Sequence, residues 1–175
     1  MTQKKVLPKS SDNDLSFANF LQFFPEVTLP YTLSTESQRM FSLENEPLSI
    51  AWMDRFALIN ADEMDPFTEF MPCFRLPIKD CVAIVYWKAN ISGASFYVVT
   101  FDQKGRRIDQ KNIAGLSYNT KGMMQKVCTI STNLMISMVE GRVDELGNSI
   151  PVDPAHSHLQ SYLQIKEDGQ MIVQS

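Results

Sequence analysis

Between Phe17 and Phe24 apolar side chains recur at helical spacing (Phe17, Phe20, Leu21, Phe24), which predicts a short helix with one buried face. Asp14 or Ser16 can cap it, and Pro25 stops it. In EVTLPYTL the period drops to two: Val27, Leu29, Tyr31 and Leu33 alternate with polar residues or proline, and Pro30 confines this strand to an edge. A second helix is predicted from Ser34 or Thr35 through Met40. A third starts near Pro47, with Leu48, Trp52, Phe56 and Ile59 on one stripe and proline in the first turn.

From Glu69 onward the period of two persists. EFMPCFRLPI is extended, and its two prolines keep it out of a sheet centre. CVAIVYWKA is almost continuously apolar with β-branched and aromatic residues, as in a strand covered on both faces. Asn90-Ile91-Ser92-Gly93 turns the chain, and FYVVTF returns. One spacing then appears three times: an apolar residue, three others, glycine, two others, isoleucine. The copies are Phe101–Ile108, Val143–Ile150 and Ile165–Ile172. Each predicts a hairpin whose tight turn holds glycine at positive φ. Another hairpin is predicted around Ser131-Thr132-Asn133, between strands 125–130 and 134–140. The copies are unevenly spaced, so they are hairpins rather than solenoid units.

The pattern therefore predicts an α+β fold: N-terminal helices packed on a twisted antiparallel β-meander of seven to nine strands, curling toward a half-open barrel. Residues 1–13, polar and carrying Ser10-Ser11-Asp12-Asn13, read as a disordered tail. Residues 14–175 read as one domain, with a helical part over 14–66 and the meander over 67–175.

Composition narrows function without naming one. The chain has 175 residues and a net charge of −4, with Lys4-Lys5 and Arg106-Arg107 as its only adjacent basic pairs. This balance argues against nucleic acid as a partner. No apolar run reaches the about 20 residues that a membrane helix needs. The first residues lack the apolar core of a secretory signal, which places the expected location in the cytoplasm. Three cysteines, Cys73, Cys81 and Cys128, form neither a disulfide framework nor a C-x-x-C pair, and they read as buried hydrophobes in a reducing compartment.

Three stretches, Phe24-Pro25-Glu26-Val27-Thr28-Leu29-Pro30, Thr100-Phe101-Asp102 through Gly105 to Ile108-Asp109, and Ile165 through Asp168-Gly169, carry a resemblance. Their layout resembles a group of bacterial proteins that join a helical N-terminal part to an antiparallel meander. The group has no assigned activity, so the resemblance implies the fold alone.

Candidate chemistry is sparse. His156 and His158 are the only histidines. In an extended His-x-His both rings share one side at about 7 Å, within reach of one metal ion, with Asp153 or the acidic stretch near Asp62 supplying a third ligand. Asp62, Glu63, Asp65 and Glu69 can supply paired carboxylates, but Pro66 interrupts them and no calcium-loop glycine is present. A solvated capping loop explains them more simply. Motifs for a serine nucleophile elbow and for phosphate-binding glycine loops are absent from the sequence. Aromatic residues Trp52, Tyr86, Trp87 and Tyr97 are candidate lining for an apolar pocket between helices and sheet.

The sequence reading is a non-catalytic module that binds a protein partner or a small apolar ligand, without cofactor, and able to pair as a homodimer through an exposed edge strand at the C-terminal hairpin. The alternative is a metal-dependent or other hydrolase using the His156/His158 loop.

Overall fold

The computed structural model describes residues 15–56, 58, 65–91, 93–120, 122–150 and 159–174. The predicted tail and the His156/His158 loop lie outside the described residues.

The helical front is close to its sequence pattern. Helix α1 (Phe17–Leu21) starts at Ser16, whose hydroxyl accepts the Asn19 amide at 3.3 Å. A three-residue strand, β1 (Tyr31–Leu33), is all that forms of the predicted EVTLPYTL strand. Helix α2 (Thr35–Glu44) begins at Ser34 in a reciprocal capping box with Ser37 and runs one turn beyond the predicted end. Helix α3 (Ile50–Arg55) starts after Ser49, so Pro47 lies ahead of the helix rather than in its first turn. The backbone of Leu48 is committed elsewhere, donating to Phe70 O at 2.7 Å.

Eight strands follow: β2 (Glu69–Leu76), β3 (Val82–Asn90), β4 (Gly93–Phe101), β5 (Arg107–Asn119), β6 (Gly122–Ile130), β7 (Met135–Val143), β8 (Leu159–Ile165) and β9 (Met171–Gln174). They form one antiparallel meander in sequence order, and β1 joins it beside β6. The long β5 pairs with β4 along its length, but with β6 only from Gly115 to Asn119. Where β6 leaves β5, its free flank over Cys128–Ile130 takes β1, and Thr32 and Thr129 share a hydroxyl hydrogen bond of 2.9 Å.

Successive residues of a strand face opposite ways, which divides the core in two. Ala83, Val85 and Trp87 of β3 enter a cluster to which every strand contributes, including Leu33 of β1 and Met171 of β9. Ile84 and Tyr86 face the other way, into a cluster built with α1, α3 and the segments beside them: Phe20, Phe24, Trp52, Phe56 and Leu58. Burying large apolar side chains is worth about 1.5–3 kcal/mol each, so both faces of the β2–β4 half stabilise the sheet.

The sheet curls without closing into a barrel. The β8–β9 turn folds back onto β4 and β5, where Thr100 Oγ1 donates to Gly169 O at 2.6 Å and Met171 N donates to Asp109 Oδ2 at 3.2 Å. These contacts run between side chains and backbone, and no β5–β9 ladder forms among the described residues.

The three predicted glycine hairpins are present. Gly105, Gly147 and Gly169 have φ of 79°, 83° and 85°, and in each turn the glycine amide donates three residues back, to Asp102, Asp144 and Lys166. This is a type I turn closed by a left-handed residue. A fourth turn has the same bonds: Leu134 N donates to Ser131 O and Ser131 N to Met135 O, both at 2.9 Å. Its left-handed residue is Leu134, at φ 63°.

Candidate functional site

The two edges of the sheet are treated differently. At β2 the outward backbone groups are taken up by the chain that precedes it. Arg75 N donates to Pro25 O (2.9 Å), Val27 N to Arg75 O (3.3 Å) and Leu48 N to Phe70 O (2.7 Å), while Asn45 Nδ2 reaches Pro72 O at 2.6 Å. Pro72 has no amide to offer, and a bulge follows it. These are the devices by which natural sheets protect an edge.

At the far edge, β9 has the sequence Met-Ile-Val-Gln, with no charge, proline or bulge. Because Lys166 N donates to Gln170 O, the alternation of an antiparallel ladder turns Ile172 and Gln174 toward β8 and turns the backbone of Met171 and Val173 outward. Asp109 takes the Met171 amide. The Met171 carbonyl and both backbone groups of Val173 have no partner among the described residues.

Beside this edge lies an open groove of about 1080 Å³. Three separate stretches frame it: Pro77–Asp80 between β2 and β3, the Asn133-Leu134 turn, and Gln164–Asp168 at the β8–β9 turn, with Gln174 at one end. Gln164 Nε2 ties two of them together by donating to Asn133 O at 3.0 Å. Ile165 N donates to Leu134 O at 3.2 Å. The rim carries both signs of charge: Lys79, Asp80, Lys166, Glu167 and Asp168. A leucine in left-handed backbone costs about 1 kcal/mol or more, and the protein holds that strain at the groove wall. Sequence reasoning missed this region because its parts come from three turns far apart along the chain. The one local signal was the Ser131–Leu134 turn, which has the shape of its glycine counterparts without the glycine.

The four aromatic candidates do not converge. Trp52, Tyr86 and Tyr97 share the helix-side cluster, whereas Trp87 lies in the other one. Neighbours on a strand must point opposite ways, so Tyr86 and Trp87 cannot line one pocket. Tyr86 stacks on Tyr97 at 5.4 Å, and Phe20 stacks on Phe56 at 4.4 Å, so the rings pack against one another. The Tyr86 hydroxyl donates to Leu58 O at 2.9 Å and receives Gln110 Nε2 at 3.2 Å, an arrangement that satisfies a buried phenol.

Of the acidic stretch, Asp65 and Glu69 are described, whereas Asp62 and Glu63 lie outside the described residues. Asp65 works as a loop cap: its carboxylate accepts from Ile91 N (3.0 Å), Phe67 N (2.8 Å) and Thr68 Oγ1 (3.2 Å). The Ile91 amide, aided by the Phe67 amide, the Thr68 hydroxyl and nearby Lys88, holds its carboxyl below the ordinary aspartate range. Among the described residues no three His, Cys, Asp or Glu side chains are grouped to hold a metal ion. Cys73, Cys81 and Cys128 are free and buried. Burial pushes the Cys73 thiol well up, and it pushes Cys128 to about 12. Neither is an activated nucleophile.

Among the described residues no helix is long and apolar enough to cross a membrane. No family model, no curated protein and no solved structure matches the chain.

Proposed function

We propose that the chain is a non-catalytic module that binds a protein partner at the end of the sheet formed by the groove and β9. The observation that carries this reading is the contrast between the two edges. One edge is sealed by four hydrogen bonds with preceding chain, while the other leaves the Met171 carbonyl and the Val173 backbone without a partner among the described residues, beside a groove of about 1080 Å³ with a rim of mixed charge. Partner surfaces combine an apolar centre with a polar rim. Here Leu134 and Ile165 supply apolar wall, and Lys79 and Lys166 sit exposed at the rim.

Affinity capture of partners from a host extract, compared between the natural protein and a Lys79→Glu/Lys166→Glu variant, tests this reading. Loss of a specific captured protein with the variant supports it. Capture that is unchanged places the interface elsewhere. A stoichiometric metal ion in the purified protein would instead favour hydrolysis at the His156/His158 loop, which lies outside the described residues.

A further inference from the structure

We infer that the partner offers an extended segment, with apolar and polar residues alternating, that adds to β9 as a further strand of the sheet; this rests on the partner-binding reading above. Val173 is the centre of the site. Its N–H and C=O both point away from β8, so one residue of an added antiparallel strand can accept from the first and donate to the second. The Met171 carbonyl extends the same row. Asp109 already occupies the Met171 amide, which ends the row on the side of the turn. Only an extended backbone matches these groups in spacing and in alternation of donor and acceptor.

Side chains agree with that occupant. Val173 is 64% exposed and Ile172 46%, one on each face of the strand, so an added strand with apolar residues on either face finds a cross-strand neighbour. Leu159, 71% exposed, lies on the face that carries Val173, because Leu159 and Leu163 are four apart on β8 and Leu163 pairs with Val173. The edge itself carries no charge to repel a strand.

A second copy of the chain fits less well. Four residues at about 3.3 Å each make an edge of about 13 Å, too short for the roughly 1,000 Å² that a specific interface needs. A peptide segment can use the edge and continue into the adjoining groove.

The probe is a phage-displayed library of random dodecapeptides selected on the immobilised full chain. We expect enriched sequences to alternate apolar and polar residues. Their binding should weaken at least about tenfold in Val173→Pro, which removes the outward N–H without touching the β8 ladder, and in Val173→Lys, which charges the edge. Amide spectra of both variants, taken beforehand, show whether each is folded, and either one suffices. Enriched peptides that bind both folded variants unchanged, or that carry apolar residues at helical spacing, overturn the added strand and leave partner binding standing. A failure to enrich any sequence also overturns it, whereas the partner-binding reading fails separately, through the Lys79/Lys166 comparison. A dimer in analytical ultracentrifugation that Val173→Lys abolishes overturns the peptide as occupant and puts a second copy in its place.

Discussion

Gly93 and Gly115 lie opposite Ser117 and Ser95 in the β4–β5 ladder, and at each glycine the facing strand comes so close that it leaves no room for a side chain. A Cβ on Gly93 would lie 2.3 Å from the carbonyl oxygen of Leu116, and one on Gly115 would lie 2.3 Å from that of Ala94. Their φ angles, 144° and 143°, are ones that other residues rarely adopt. Gly115 is also where β5 begins to pair with β6. We therefore expect Gly115→Ala to destabilise by about 2–4 kcal/mol in urea unfolding, through clash and strain together. Gly147→Ala is the control. It has φ 83° and nothing within 4 Å of the added carbon, so about 1 kcal/mol is expected. Equal losses at the two sites would show that backbone conformation alone, and not the close approach, demands glycine at 115.

Leu134 makes a different test. Its conformation suits glycine or asparagine, yet its side chain packs against the all-strand cluster. Leu134→Gly removes packing and relieves strain, and the two should offset to within about 1 kcal/mol. Leu134→Val keeps much of the apolar surface but adds branching where φ is positive, so it should be the worse substitution by about 1–2 kcal/mol. The reverse order would mean that packing, not backbone strain, dominates at this turn.

Tyr86→Phe should cost about 1–2 kcal/mol. It removes the donor to Leu58 O and leaves Gln110 Nε2 as that carbonyl's remaining partner, at 3.4 Å. Chemical denaturation gives the number. A neutral result would mean that the phenol bond contributes nothing beyond its own desolvation.

The hairpin turns predict an acid limb of stability. Asp102 accepts the Arg106 and Lys104 amides and pairs with the Arg106 side chain. The Arg106 amide is the first cause of its lowered pKa. Asp144 is lowered chiefly by the side-chain amide of Asn148 and then by that residue's backbone N–H. A carboxyl whose folded pKa lies below its unfolded value, about 3.9, stabilises the fold above that pH. That stability disappears as pH falls through the folded pKa. Urea midpoints of the natural protein and of Asp102→Asn/Asp144→Asn should differ at pH 7 and converge below about pH 4. A gap that does not change with pH would place the effect in geometry rather than charge.

How much of this was written in the chain depends on distance along it. The glycine turns were legible because each is closed by a bond spanning three residues, and Ser16 and Ser34 announced their helices for the same reason. Their fourth relative was legible as a hairpin around Ser131-Thr132-Asn133, but its left-handed residue was not, since nothing local says that a leucine will accept that backbone. The pattern around Pro47 suggested a helix start. A bond from Leu48 N to Phe70 O, 22 residues away, decided otherwise. The strand rule that separates Tyr86 from Trp87 was available from the sequence, and applying it to CVAIVYWKA would have removed Trp87 from the aromatic group. The edge strand of the C-terminal hairpin was legible as the last strand of a meander, but the groove and the edge's place beside it had no such signal. They depend on the curl that brings Thr100 to Gly169 and Asp109 to Met171, contacts 69 and 62 residues apart.

The place of β1 sets a timetable for the molecule. Synthesis runs from the N-terminal side, yet Thr32 meets Thr129 across 97 residues, on a flank that exists only after β6 has left β5. During synthesis Tyr31 and Leu33 emerge early and must wait, solvent-exposed or held by a chaperone, until Cys128–Ile130 have followed them out of the ribosome. Such non-local pairing makes for slow folding. Growth at low temperature or with added chaperones should therefore raise the soluble yield of this protein more than substitutions that stabilise its finished fold.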